Sequence, residues 1–445
     1  MKIPRKYYRT RESRKGIPKK KIILILLPLI IVGGGWLWLV KFESEKPEIT
    51  LLKETQYIEP ELAFRAADGK SGLAEIHVEV VQYQEAYSIF REKYPRKTGF
   101  VEKQLPMRPL PSGLKEGEVV LRITAWDHSW NGGNKTVLEK SMAIDVRPPR
   151  PAIMGGPHYI NQGGSGLIVV AANEEMPVVG LEVEDDFFKG FPATESRHVV
   201  YFALPPGADS DTTMSLVAED AAGNRAQLNF RPNVRARSFR QDRINITDGF
   251  LAQVVPYFKG NDPSLEGTDL EIFISMNKEQ RKKDADRIRA ICEYTEPQPL
   301  WSGAFLRMPG KTTASFGDRR TYFYQGREID RQTHMGIDLA SLTQSPVPAA
   351  NRGKVVFVDA LGIYGNSVIL DHGCGLFSMY AHLSLIDVAV GAVVEKGDSL
   401  GRTGSTGMAG GDHLHFAMIV QGVFVNPVEW WDPHWIQDNI ELKLK

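Results

Sequence analysis

Apolar and polar residues alternate in three different rhythms along this chain. The first is an unbroken apolar run, Ile22–Val40, nineteen residues without a charge. At about 1.5 Å per residue, a helix of that length covers roughly the 30 Å hydrocarbon core of a bilayer. The pattern predicts a single transmembrane helix over 22–40. Trp36 and Trp38 suit the interface, and Pro28 is tolerable within a membrane helix. The second rhythm is partial two-residue alternation from Glu48 to Val146, as in Glu75-Ile76-His77-Val78-Glu79-Val80 and Val119-Val120-Leu121-Arg122-Ile123-Thr124. It predicts strands, and it resumes from Ala152 to about Pro232 after the stiff connector Arg147-Pro148-Pro149-Arg150-Pro151.

These two strand-rich stretches echo each other. Ala125-Trp126-Asp127 followed by Gly133-Asn134 is matched by Ala218-Glu219-Asp220 followed by Gly223-Asn224. Each is a strand ending in A-x-D, then a Gly-Asn turn and a further strand. Two β-sandwich-like modules are expected, at 48–147 and 151–235. They resemble the immunoglobulin-like modules of bacterial surface proteins, and that resemblance implies spacers without a ligand of their own. The third rhythm is helical and occupies a connector, 236–300. Thr247 or Asp248 caps a helix bearing Phe250, Leu251, Val254 and Val255, and Asn277 with Gln280 reads as a capping box for a second helix through Ala285, Ile288 and Ile291. From Trp301 glycines and short strands return, giving a final domain over 301–432. Its stretch Val388–Gly401 resembles the hairpins of lipoyl and biotinyl carrier domains. The fold class expected is therefore mainly β: one N-terminal transmembrane helix, two sandwich-like modules, a short helical connector and a C-terminal antiparallel β domain.

Charge sharpens this picture. The net charge of zero hides ten basic residues and one acid within residues 1–21, against 43 basic and 53 acidic residues beyond Lys41. A basic tail ahead of an apolar span holds the N-terminus in the cytoplasm, so the acidic remainder lies in the periplasm or outside the cell. Nucleic acid is excluded as a partner, because the basic residues precede a membrane span rather than line a folded face. Trp36-Leu37-Trp38-Leu39-Val40-Lys41-Phe42 offers no small-residue cleavage site, which favours an anchor over a removed signal peptide. The two cysteines, Cys292 and Cys374, are too few for a thiolate metal site.

Chemistry concentrates near the C-terminus. His334 and Asp338 form H-x-x-x-D around Gly336, His382 stands in Ala381-His382-Leu383-Ser384, and His413-Leu414-His415 forms H-x-H at the head of a strand. Alternation along that strand puts His413 and His415 on one face and Leu414, Phe416 and Met418 on the other, towards a core. His334, Asp338 and His415 make a three-ligand N/O set with a fourth position left open, for which Zn2+ is the default ion. His382 and His413 remain for proton transfer and oxyanion stabilisation.

All three motifs in this order resemble the lysostaphin/LytM-type zinc endopeptidases of cell-wall peptidoglycan, over about Phe305 to Trp431. Ser315-Phe316-Gly317-Asp318-Arg319, Ser345–Ala350, Gly365–Gly373 and Gly404-Ser405-Thr406-Gly407 belong to the match. The resemblance implies zinc on His334, Asp338 and His415, catalytic roles for His382 and His413, and an antiparallel β groove. It implies peptidoglycan as substrate, with cell-wall or division-complex proteins as further partners. A tyrosine near the metal is also implied, with Tyr322, Tyr324 and Tyr364 as candidates, whereas His372 reads as structural. The alternative within the same resemblance is a non-catalytic regulator that activates cell-wall amidases, a role reached by loss of metal ligands. None is missing here.

Overall fold

Alternation in the N-terminal half produces strands, and the fold is mainly β with a few helices. The computed structural model describes residues 28, 30–36, 44–129, 133–157, 159–171, 174–194 and 196–444. The basic tail 1–21 and most of the expected anchor 22–40 lie outside them. Within that span residue 28 and residues 30–36 are helical. Among the described residues no helix is long and apolar enough to cross a membrane.

The chain divides into two units, Met1–Arg147 and Pro148–Lys445. In the first, a four-stranded antiparallel sheet runs in the order Glu85–Lys93, Leu73–Gln82, Gly117–Asp127, Lys135–Ile144. A three-stranded sheet, Glu48–Leu51, Glu61–Ala67, Phe100–Pro106, contributes to the same core, in which Phe64, Ile76, Val78, Leu121 and Ile123 are fully buried. The recurring A-x-D/Gly-Asn text has a physical cause in both units. The Asp127 carboxylate accepts from the Ser129 amide at 3.0 Å and from the Asn134 amide and side chain at 2.6 and 2.8 Å. Asp220 accepts in the same way from the Ala222 and Asn224 amides and the Asn224 side chain, at 2.8, 2.9 and 2.9 Å. A carboxylate that closes its own hairpin replaces backbone pairing lost at the turn.

The second unit begins with two four-stranded antiparallel sheets, built from Ala152–Gly155 through Arg225–Phe230. This module is not a separable spacer. Leu167, Val170, Tyr201 and Phe202 belong to the same continuous core as Phe305, Phe377, Phe416 and Trp430 of the C-terminal domain. The polar seam is equally specific. Buried Glu429 accepts from the Asn161 side chain at 2.7 Å and the Ser165 amide at 3.0 Å, and the Trp430 indole donates to Ser165 Oγ at 3.1 Å.

The connector opens with a strand, β1 (Gln241–Ile246), where only helix is expected. Helix α1 (Asp248–Asn261) follows, its Thr247 cap accepting from the Phe250 amide, and it buries Leu251, Val254, Val255 and Phe258 at helical spacing. The capping box lies at Thr268 and Glu271, opening α2 (Asp269–Ser275). Asn277 caps nothing. It sits in a wide turn, Met276–Gln280, that leads straight into α3 (Arg281–Ile291), and its buried amide donates to Asp330 at 2.7 Å. The tertiary bond satisfies Asn277 and removes the need for a helix start there.

In the C-terminal domain β1 pairs in parallel with β2 (Arg319–Tyr324), which is antiparallel to β3 (Arg327–Thr333). The main sheet includes β4 (Ile337–Ala340), β5 (Gly353–Leu361), β6 (Gly365–Asp371), β7 (Leu376–Ala381) and β8 (Leu414–Val420). Their order is β4-β8-β7-β6-β5, all antiparallel. Every residue of β8 is buried. The strand is covered on both faces, unlike the half-buried strand that its alternation predicts. Cys292 and Cys374 are both buried free thiols.

Candidate metal centre

Strand register assembles the site. Asp338 on β4 and Ala381 at the end of β7 both lie opposite His415 on β8, which places His382 one residue beyond. His413 immediately precedes β8 and bridges to Gly404. His334 approaches from the end of β3. The Gly317 amide donates to the His334 carbonyl at 2.8 Å, and the His334 amide donates to the Asp318 carbonyl at 2.9 Å. Gly317 adopts φ +84°, and a Cβ there would overlap Phe239, so the Ser-Phe-Gly-Asp-Arg text is a bracket for His334. Gly336 has an equally local reason: a Cβ would lie 2.5 Å from the His415 ring.

Three main-chain carbonyls set the imidazole tautomers. His334 Nδ1 lies 3.0 Å from the Ser315 carbonyl, His382 Nδ1 2.8 Å from the Thr406 carbonyl, and His413 Nδ1 2.8 Å from the Gly411 carbonyl. A carbonyl only accepts, so each Nδ1 carries the hydrogen and each Nε2 presents a lone pair. His334 Nε2 faces Asp338 Oδ1 at 3.0 Å and His415 Nδ1 at 3.1 Å, and His415 Nδ1 is 2.9 Å from the same carboxylate oxygen. His413 Nε2 is 3.6 Å from it, and the His382 and His413 ring centroids are 4.9 Å apart. All five residues singled out by sequence therefore surround one point.

The electrostatics fit a cation. Burial opposes ionisation of Asp338, yet His334 and His415 hold its carboxyl well below the ordinary carboxylate range. Burial pushes the His415 imidazole down to about 4. Burial, then the neighbouring His413 and His415, push His382 well below its usual value. The His334 Nε2 lone pair meets a carboxylate with no hydrogen between them, and buried His415 Nε2 has no partner among the described residues. With Nδ1 of His415 as a donor atom, Nε2 would carry the hydrogen. Two imidazole nitrogens and one carboxylate oxygen within 3.1 Å of one another are the ligand class that suits zinc. His334, Asp338 and His415 fit that group.

Arg320 and the apolar lining of the cavity carry no sequence signal of their own, whereas Tyr322 and Tyr364 are among the three tyrosines the resemblance offers. The Arg320 guanidinium on β2 donates to Asp338 Oδ2 at 3.2 Å and orients the carboxylate from behind. The cavity over the site, about 240 Å³, is lined by Arg320, Tyr322 and Tyr364. Ile244, Ile246, Phe250, Phe273 and Arg281 of the connector line it too. Tyr324 instead points to Asp248, its hydroxyl donating at 2.8 Å. His372 lies apart from the site, wholly buried between the Arg352 carbonyl and Ser378 Oγ at 2.7 Å each, and burial pushes its ring down to about 4.

Residues 332–427 match the family model of Peptidase family M23. Over that stretch the chain is similar to an M23 peptidase domain. Over 95 residues it is 42% identical to the DD-carboxypeptidase/endopeptidase Mpg of Neisseria meningitidis serogroup B, covering 21% of this chain and 22% of that protein. Over 163 residues it is 38% identical to the peptidoglycan DD-endopeptidase ShyA of Vibrio cholerae, covering 37% of this chain and 35% of that one. The chain thus matches about a third or less of the length of these curated relatives. Among solved structures it is similar to a putative peptidase M23 from Pseudomonas aeruginosa. That match has 20% identity and a TM-score of 0.39, and covers 60% of this chain and 93% of the other.

Proposed function

We propose that this protein is a zinc metalloendopeptidase that hydrolyses peptide cross-links or stem peptides of bacterial peptidoglycan. Ile22–Val40 tethers it to the cytoplasmic membrane, with the N-terminus in the cytoplasm and the M23 domain in the periplasm or outside the cell. The observation that carries the reading is the convergence of His334 Nε2, Asp338 Oδ1 and His415 Nδ1 within 3.1 Å, with two further imidazoles beside them. The names of the Neisseria and Vibrio relatives support the substrate class.

His334, Asp338 and His415 would hold the ion, which supplies a Lewis acid and an activated water. His382 and His413 each keep a bare Nε2 because a carbonyl occupies Nδ1. One of them accepts the proton of the attacking water and returns it to the leaving amine. While it holds that proton it would donate to the developing oxyanion, and the other, with its bare Nε2, would accept a hydrogen bond from the water and orient it. Tyr322 and Tyr364 wall the cavity and exclude water from its sides.

Residues 43–445, purified and incubated with sacculi, should release soluble muropeptides. Chelation or His415→Ala should abolish release, and mass analysis of the products identifies the bond cut. Full release by His415→Ala would refute the assignment. A chain that binds no zinc and releases nothing would favour the amidase-activating alternative.

A further inference from the structure

The connector does more than stand before the peptidase domain. Asp284 lies in the first turn of α3, only 1% exposed. Its Oδ2 accepts from the Ile363 amide at 2.8 Å, and its Oδ1 accepts from the Gln280 side chain at 2.7 Å. The Ile363 amide belongs to a single turn, Gly362–Tyr364, between β5 and β6. Gly362 sits at φ +41° with its Cα pressed against the carboxylate, so a Cβ there would overlap Asp284.

That turn is the backing of the candidate site. The Tyr364 carbonyl accepts from the His382 amide at 2.8 Å, and the Ile363 carbonyl accepts from the Met408 amide at 2.8 Å. The Tyr364 ring lies 5.4 Å from the His415 ring. Just beyond, the Asn366 amide donates to Thr406 Oγ1 at 3.0 Å, and the carbonyl of Thr406 holds His382 Nδ1. His382 itself adopts φ +64°, a left-handed conformation that costs a non-glycine residue energy and persists only where its surroundings impose it. Both backbone attachments of His382 thus pass within a few residues of the turn that Asp284 grips.

Helix stability does not explain Asp284. The helix dipole gives a first-turn carboxylate only a small gain, whereas burial raises the Asp284 carboxyl above its ordinary pKa, so the ionised side chain is costly where it stands. We infer that Asp284 is a positioning residue for the proposed hydrolysis, holding the Gly362–Tyr364 turn so that His382 faces the metal centre. The connector is then part of the catalytic framework, and its removal disables the site rather than uncovering it.

This inference rests on the peptidase reading for its kinetic arm and on a direct signal for its structural arm. The full chain is compared with Asp284→Ala, Asp284→Asn, Gly362→Ala and the double variant Asp284→Ala/Gly362→Ala. Kinetics are measured on a soluble cross-linked muropeptide, alongside zinc content, and imidazole resonances of His382 are followed by NMR. Asp284→Ala should lower kcat by about tenfold or more, since small misplacements of a reacting group are costly, while KM and zinc content hold. Asp284→Asn keeps an acceptor for the Ile363 amide and should restore most of kcat. The double variant should be no worse than the poorer single variant, because both act on one contact. The His382 resonances should shift in Asp284→Ala and return in Asp284→Asn. Unchanged His382 resonances, or a kcat loss matched by lost zinc, would overturn the inference. A wild-type chain that is inert on muropeptide while the His382 resonances behave as expected would overturn the peptidase reading alone.

Discussion

Trp430→Ala tests whether the second β-module and the M23 domain are one cooperative body. Trp430 has no exposed surface, and its ring lies 5.5 Å from Trp301, 5.6 Å from Phe305 and 5.3 Å from Trp435. Across the seam it lies 6.4 Å from Tyr201 and donates to Ser165 Oγ. Truncating a fully buried tryptophan costs about 3–5 kcal/mol in lost transfer energy and cavity formation. The lost indole bond is included in that range, at about 1 kcal/mol. For a large domain each kcal/mol moves the midpoint by roughly 2–4 °C, so a fall on the order of 10 °C is expected. The decisive assay is native-state hydrogen exchange on two strands, Arg197–Ala203 of the module and β8 of the peptidase. If one core serves both, their opening free energies should fall together by the same amount. Loss of protection in β8 with Arg197–Ala203 unchanged would refute the shared core.

Two further outcomes follow from particular side chains. Gly336→Ala should drive the His415 ring out of register with Asp338 and sharply reduce bound zinc in a chain that still folds, as measured by metal analysis and circular dichroism. His372 gives a pH signature. Its folded value, about 4, lies below the unfolded value of about 6.5, so the unfolded chain takes up the extra proton. Its stabilising contribution is complete above about 6.5 and is lost as pH falls towards 4. Urea midpoints of His372→Gln should therefore depend less on pH than wild type between those limits, and an identical dependence would contradict the assignment.

The gathering of the five candidate residues was legible because spacing encodes strand register: His415 faces Asp338 directly, and H-x-H puts His413 on the same side. What fixes their chemistry was not legible, because the carbonyls of Ser315, Thr406 and Gly411 belong to the backbone and have no letter. Arg320 was hidden in a charged stretch after Gly317, where nothing local says which arginine turns inward. The connector misled in two ways. Asn277 and Gln280 have capping-box spacing, but a long-range bond to Asp330 claims Asn277 while Thr268 and Glu271 make the box. The parallel pairing of β1 with β2 joins segments some seventy-eight positions apart, which no local pattern reveals. The two modules looked alike in their hairpins. Only packing shows that residues 151–235 merge with the peptidase core, since buried apolar positions do not name their partners.

The three carbonyls bonded to imidazole nitrogens have a consequence for how this site can change over time. A histidine paired with an aspartate can be retuned by one substitution in the partner. Here the partner is peptide backbone, which every residue possesses and no point mutation deletes. Exchanging the side chains of Ser315, Thr406 or Gly411 leaves each acceptor in place unless the chain path itself moves. The tautomers of His382 and His413 are thereby insulated from sequence drift around them, and altering them requires reshaping a loop.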